Sequence, residues 1–269
     1  MAQLQRVAIS PSQLQNQQIF LSPQQQHYLS RVLRLQIGDR FIAINGQGES
    51  WLAKLKGEQA EIIEPIHVQT ELPVAVNLIV ALPKGNGFDE VVRQATALGV
   101  ACIMPVISDR TLLHPSPQKL ERWRRIAAEA AEQSERQIIP TIVDPIPFSK
   151  ALSLIVEAQS PSSATNLNFD PFPLNFLSQN HQLYICVARG NYPHLLTFLL
   201  PTPPLSPSPI TIAIGPEGGW TDTEVEKACT AYFQPVSLGS RILTAVLAPI
   251  VALSLLAAAT ETGSIKYEG

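Results

Sequence analysis

Two glycine-rich stretches in the C-terminal third of the chain hold the residues best suited to chemistry. In the first, Ile212-Ala213-Ile214 is apolar and mostly β-branched, as at the end of a buried strand. Gly215-Pro216 breaks it, and in Glu217-Gly218-Gly219-Trp220 the glycines let backbone come close to a bound molecule. Thr221 or Asp222 can cap the helix that follows, and Asp222, Glu224 and Glu226 suit its positive N-terminal end. The second stretch, Val236-Ser237-Leu238-Gly239-Ser240-Arg241-Ile242-Leu243, is another short strand ending in glycine, ahead of a long apolar helix from about Thr244. Side by side in a parallel sheet, two such ends form one crevice at their carboxyl termini, a shape that takes a cofactor. An ordinary strand-to-helix connection is the alternative. Pro83-Lys84-Gly85-Asn86-Gly87 lacks the residue order of a phosphate loop, so its lysine and glycines are read as a plain turn.

The elements that must position these stretches alternate between strand and helix. Residues 74–82 are a near-continuous apolar run, the mark of a strand covered on both faces; a helix over 88–98 closed by Gly99, a strand over 101–106, a helix over 118–136 and a strand over 183–188 follow. The buried stripe of the 118–136 helix is Leu120, Trp123, Ala127, Ala130 and Ser134. This predicts an α/β domain with a parallel sheet over residues 74–269, joined through Glu71-Leu72-Pro73 to a small β-rich domain over residues 1–70. The small domain shows strands at 40–44, 50–55 and 60–66 after a short helix at 24–34. On that helix Tyr28, Leu29, Val32 and Leu33 face inward, which leaves Arg31 and Arg34 one turn apart as an outer face, either solvated or free to bind. The Ser-, Pro- and Asn-rich segments near 159–182 and 201–209 read as surface loops.

With 269 residues, 45% of them hydrophobic, the chain can bury a sizeable core. Its net charge of -3 excludes a protein that is basic throughout, so any nucleic-acid contact must come from a local patch. Cys102, Cys186 and Cys229 are odd in number and widely spaced, which argues against a disulfide framework or zinc site and for a reducing, cytoplasmic setting. His27 has no second ligand at metal spacing, so no metal is expected. Residues 1–6 lack the apolar core of a signal peptide, and the apolar run 245–259 is shorter than the ~20 residues of a membrane span and contains Pro249.

Gly215-Pro216-Glu217-Gly218-Gly219 followed by Leu238-Gly239-Ser240-Arg241-Ile242-Leu243 resembles the SPOUT superfamily of methyltransferases. Within it, two further segments are similar to the small-subunit ribosomal RNA uracil N3-methyltransferase family: His27 to Arg34 with Gly38-Asp39, and Glu132-Gln133-Ser134-Glu135-Arg136. The likeness covers nearly the whole chain. It implies a PUA-like RNA-binding β-barrel, then an α/β domain tied in a trefoil knot, a homodimer, and S-adenosylmethionine held bent against the knot loops. The implied reaction is methyl transfer to N3 of a uridine in 16S rRNA, near the decoding region of the small ribosomal subunit. No metal is needed, since the sulfonium is already an activated donor.

Carried over position by position, the resemblance makes Val187, Gly215, Glu217, Gly218, Gly219, Leu238, Gly239, Ile242 and Leu243 cofactor-binding residues. Glu217 would bond a ribose hydroxyl or cap a loop. Arg241 and Arg136 are the candidate catalytic cations, Arg241 either balancing charge on the base or fixing its own loop. Arg6, Arg31, Arg34 and Arg136 are the candidate RNA contacts, with a structural salt bridge as the alternative for Arg136. Two other activities stay open: a related enzyme acting on another RNA base, and an RNA-binding or ribosome-assembly protein that lost transfer. This chain departs from the family pattern at Gln94 and Ala97, where Lys and Glu are usual, at Glu135 for Gly, and at Thr244 and Val246 for Arg and Glu. Joint loss of a cation and a carboxylate can be neutral for folding, so a folded knot and retained cofactor binding are expected, with transfer weakened.

Overall fold

A computed structural model describes residues 4–113, 115–159, 181–200 and 208–261 of the chain. Most of the two segments read as surface loops, 160–180 and 201–207, lies outside the described residues. Contacts group the chain into two compact units, residues 1–71 with 127–139, and residues 72–126 with 140–269.

The first unit contains β1 (Arg6–Ala8), β2 (Leu14–Gln15), β3 (Gln18–Phe20), α1 (Pro23–His27), β4 (Arg40–Ile44), β5 (Ser50–Lys56) and β6 (Gln59–Ile66). Its sheet runs β1-β4-β5-β6-β3-β2, antiparallel except for the parallel β1–β4 pair. Val7, Ile19, Leu29, Phe41, Ala43, Ala53 and Leu55 are buried together as its core. The helix expected over 24–34 is shorter and changes type. After α1 the turn widens, Leu33 N–H bonding Tyr28 C=O at 2.9 Å, and Leu35 N–H closes the end on Leu29 C=O. Arg34 takes the left-handed conformation (φ 59°), so Arg31 and Arg34 are exposed but not stacked one helical turn apart. Val32, expected inside, is 58% exposed for the same reason.

Residues 132–137 lace onto this sheet through side chains. A Glu132 carboxylate oxygen accepts from Ala8 N–H at 2.6 Å, Glu135 pairs with Arg6 at 2.7 Å, and Gln137 donates to Ser50 Oγ at 2.6 Å. Arg136 binds one carboxylate oxygen of Glu71 through Nε at 3.0 Å and Nη2 at 2.6 Å, while the other oxygen accepts the N–H groups of Gln137 and Ile138. Glu135, where the family has glycine, nevertheless adopts a left-handed φ of 62° and closes the helix end, Arg136 N–H bonding Ala131 C=O.

The second unit contains β7 (Val76–Ala81), α2 (Gly87–Ala97), β8 (Cys102–Ile107), the start of α3 (Pro117–Gln133), β9 (Thr141–Ile142), β10 (Ile146–Pro147) and α4 (Phe148–Gln159). It continues with β11 (Gln182–Cys186), α5 (Leu196–Leu199), β12 (Ile210–Ile214), α6 (Asp222–Thr230), β13 (Gln234–Val236) and α7 (Leu247–Glu261). Every pairing in its sheet is parallel, in the order β10-β8-β7-β12-β11-β13 with β9 on β8. The central strands are fully buried, as the 74–82 run foretold, and apolar except for Asn77 and Thr211, which bond each other at 3.4 Å. The expectation that the two glycine-terminated strands lie side by side is corrected: β12 is flanked by β7 and β11, so β13 takes the free edge of β11.

Glu132 yields a test of the lacing in the first unit. Burial pushes its carboxyl up to about 7, the Ala8 N–H pulls it down, and Glu129 raises it further. A carboxyl raised in the native state stabilises the fold as the neutral acid. That contribution is complete below the unfolded value of about 4.3 and is lost as pH rises through about 7. Glu132→Gln keeps an acceptor for Ala8 and removes the charge. It should add about 1–3 kcal/mol of stability at pH 8 and almost nothing at pH 4 in urea unfolding. An equal effect at both pH values would show that ionisation of Glu132 is irrelevant.

Candidate cofactor cleft

The cleft opens where β11, β12 and β13 end. Its lining comes from Cys186, Val187 and Ala188 after β11, from Ile214, Gly215, Pro216, Gly219 and Trp220 after β12, and from Leu238, Gly239, Arg241 and Leu243 after β13, with Ala245 and Ala248 at the start of α7. Gly215 is there because of Trp220. A Cβ at position 215 would stand 3.2 Å from the Trp220 backbone nitrogen and from ring atoms Cε2 and Nε1. The ring is stacked on Phe148 with centroids 4.3 Å apart and cannot retreat without breaking that pair.

Helix α6 is fixed at the same turn. Thr221 Oγ1 accepts from Glu224 N–H at 3.2 Å, and Glu224, nearly fully buried, returns the bond to Thr221 N–H at 2.8 Å and takes Asp109 N–H at 2.9 Å. This capping box decides between the two cap residues read from the sequence in favour of Thr221. The other wall is laced backbone to backbone: Val187 N–H to Val236 C=O at 2.9 Å, Ser237 N–H to Pro193 C=O at 2.9 Å, and Leu195 N–H to Ser237 C=O at 3.0 Å.

Of the residues assigned to a cofactor from the sequence, Val187, Gly215, Gly219, Leu238, Gly239 and Leu243 line the cleft, as does Arg241. Three do not. Glu217 caps the loop after β7 by accepting Lys84 N–H at 2.9 Å; Gly218 faces Arg110, whose Nη1 donates to its carbonyl at 2.6 Å; Ile242 is 62% exposed and outside the lining. Arg136 and Arg6 are engaged elsewhere, for Arg136 in the salt bridge held open as its alternative. Arg136 is 2% exposed on Glu71, and the Arg6 side chain is 9% exposed on Glu135, so neither presents a free cation to an RNA phosphate. Spacing could not reveal these partners, since Glu71 lies 65 residues before Arg136. The sequence reading missed Trp220, Pro216, Ala245 and Ala248 as lining residues. The signal was available for Trp220, an aromatic directly after a glycine pair. It also missed Arg40 and Lys54, both exposed and directly opposed across β4 and β5, with Glu61 of β6 opposite Lys54 on its other side.

The cleft is mostly apolar with few polar groups. Its ionisable side chains are Arg241 and Cys186, and burial pushes the Cys186 thiol up to about 12, so it is neutral. The N–H groups of Gly215, Leu238 and Leu243 find no protein acceptor among the described residues and are open to water or to a ligand. Thr244 caps the approach to α7, its hydroxyl accepting Leu247 N–H at 3.1 Å, and Val246 packs so tightly on Gly87 that a Cβ there would lie 2.8 Å from it. Among the described residues, no cluster of acidic, histidine or cysteine side chains is arranged to hold a metal, and no helix is long and apolar enough to cross a membrane.

Comparison with known proteins agrees with this arrangement. The family model of the RNA methyltransferase domain matches residues 70–257, and that of the RNA methyltransferase PUA domain matches residues 21–64. The chain is 41% identical over 260 residues to ribosomal RNA small subunit methyltransferase E of Synechocystis sp., across 96% of this chain and 78% of the relative. It is 28% identical over 244 residues to the Bacillus subtilis protein of that name, across 87% and 88% of the two chains. The solved structure of ribosomal RNA small subunit methyltransferase E from Neisseria gonorrhoeae bound to S-adenosyl methionine matches with a TM-score of 0.75 at 28% identity, covering 94% of this chain and 96% of that one.

The lock between Gly215 and Trp220 can be tested without a ligand. Gly215→Val should force the indole off Phe148 and cost about 1–3 kcal/mol of stability, while Gly219→Ala, where a Cβ meets nothing within 4 Å, should cost only the backbone strain of its φ of 69°. Urea unfolding compares them. A Gly215→Val protein as stable as wild type would remove the lock.

Proposed function

This chain belongs to the RNA methyltransferase family of ribosomal RNA small subunit methyltransferase E, and from that premise we propose that it methylates N3 of a uridine in 16S rRNA with S-adenosylmethionine. The observation that carries the reading is the cleft itself. The ends of β12 and β13 bring unpaired backbone N–H groups to a single place, beside the end of β11, with an apolar floor and one permanent charge, Arg241.

The residues present suit S-adenosylmethionine. The apolar lining from Val187, Leu238, Leu243 and Ala248 suits a flat adenine, and the free amides of Gly215, Leu238 and Leu243 suit its polar edges and the ribose. Bound there, S-adenosylmethionine supplies the sulfonium methyl; the carbon–sulfur bond breaks as the carbon–nitrogen bond to N3 forms, the sulfur keeps the bonding pair as a thioether, and the N3 proton is released. Arg241 holds positive charge at the mouth, which favours uracil as its N3 anion and stabilises the pyrimidine as it reacts. With its thiol neutral, Cys186 does not serve as the nucleophile or base. His181, kept neutral by burial that lowers it to about 4, precedes β11 and so lies at the other end of the strand from the cleft. The cleft side chains therefore orient the base and balance its charge, and the proton passes to solvent.

On the RNA side, the exposed Arg31, Arg34, Arg40 and Lys54 form the surface of the first unit we assign to phosphate contact. The chain order of the sheet, β7-β12-β11-β13, supports a trefoil knot in the second unit, and the uncovered apolar side chains of Ile242 (62% exposed) and Leu247 (44%) support a homodimer packed beside α7. A substrate on the small ribosomal subunit supports a cytoplasmic location.

The test is single-turnover methylation of small-subunit particles that lack the modification, with the nucleoside identified after digestion and cofactor binding measured by calorimetry. One S-adenosylmethionine should bind per subunit and N3-methyluridine should form. Arg241→Ala should slow transfer about 100-fold with cofactor affinity little changed. Thr244→Arg, which restores the family's cation at the cost of the Thr244 cap, should speed it. Another methylated base would contradict the choice of N3, and cofactor binding without any transfer by wild type or Thr244→Arg would favour an RNA-binding role.

A further inference from the structure

The arginines of the second unit fall into two sets. Arg93 pairs with Glu90, Arg110 donates to the Gly218 and Trp220 carbonyls, Arg122 pairs with Asp89, Arg124 with Glu121 and Asp144, and Arg125 is also engaged. Arg189 and Arg241 are exposed and hold no hydrogen bond or ion pair among the described residues. These two are also the pair that flank the cleft. Arg241 lines it, and Arg189 follows directly on Ala188, which also lines it.

The loop bearing Arg189 is held in one course. It leaves β11 at Val187, bonded to Val236, and is caught again at Pro193 and Leu195 by Ser237, so residues 188–194 run beside the loop that carries Arg241. Between those ties Gly190 turns with φ +109°, and Tyr192 folds onto it so closely that a Cβ at position 190 would lie 2.7 Å from the ring. An unpaired cation on a tied loop at the cleft rim, in a chain of net charge -3, is placed for an anion that arrives with the substrate. Arg189 does not line the cleft, so the part of a seated nucleotide that comes within its reach is the flanking phosphodiester rather than the base. A guanidinium can hold two phosphate oxygens at once.

We propose that Arg189 is a substrate-positioning residue that grips an RNA phosphate beside the target base, so that Arg241 meets the base edge. The proposal rests on the reading of this cleft as an RNA methyltransferase site and adds a residue to it. It is tested with Arg189→Ala, Arg189→Lys and Arg93→Ala, the last removing an exposed arginine that is paired elsewhere. Each protein is measured for the salt dependence of binding to small-subunit particles, for KM and kcat in methylation, and for cofactor affinity. Arg189→Ala should lower the slope of log affinity against log salt by about 0.7–0.9, the loss of one phosphate contact. It should raise KM about tenfold, leave kcat within about twofold and leave cofactor affinity unchanged. Arg189→Lys should recover the slope but not the full KM, and Arg93→Ala should match wild type. An Arg189→Ala protein indistinguishable from Arg93→Ala in slope and KM would overturn the proposal while leaving the activity standing. A reduced slope in a protein that transfers no methyl to N3 would uphold the phosphate contact and reject the reaction.

Discussion

A parallel sheet can offer its backbone to a ligand only where the strands stop, and there only if nothing fills the space in front of them. In this protein that condition is met by the contact of Trp220 with Gly215. The indole lies against the spot where a side chain on residue 215 would project, stacked on Phe148. Glycine at 215 leaves the indole undisturbed, and the chain turns from Pro216, whose carbonyl accepts Gly219 N–H at 2.8 Å. Thr221 and the buried Glu224 then set the direction of α6 and bind it to the loop after β8. The position of β13 follows as well. With both edges of β12 occupied, β13 docks on β11, and this brings Leu238 to Leu243 across the opening from Gly215.

Charge is distributed by the same economy. Most arginines are tied to carboxylates or carbonyls, whereas Arg31, Arg34 and Arg40 in the first unit and Arg189 and Arg241 in the second are exposed and hold no such partner among the described residues. The segment 132–137 illustrates the tied class. Its resemblance to a family motif suggested RNA contact, yet Glu132, Glu135, Arg136 and Gln137 are each consumed in lacing the first unit, to Ala8, Arg6, Glu71 and Ser50. The left-handed Glu135 retains the backbone that glycine would have provided, at an expected strain of about 1–3 kcal/mol that its ion pair with Arg6 helps to offset.

What could be read from the chain were features written locally. The stop at Gly215-Pro216, the capping residues of α6, the apolar run of β7 and the hairpin strands β4 to β6 all follow from residues within a few positions of one another. Features that depend on distant partners were not legible. No local pattern states that β11 will lie between β12 and β13, that Glu71 will bury Arg136, or that Lys84 will claim Glu217. The widened turn at Tyr28–Val32 has no sequence signature, which is why Val32 was assigned inward and Arg34 to the helix face. Thr244 and Val246 could be recognised as departures from a pattern, but their local roles, an end cap for α7 and a tight contact on Gly87, required the fold.

The central claim is that the three neighbouring strand ends, with the free backbone amides that follow β12 and β13, are the cofactor site. Amide hydrogen exchange with and without S-adenosylmethionine tests it most directly, because it reads those N–H groups themselves. Protection should appear in residues 186–188, 214–220 and 237–243, with the remainder of the sheet little changed. Cofactor binding that leaves these three loops unprotected, or that protects only another part of the chain, would contradict it.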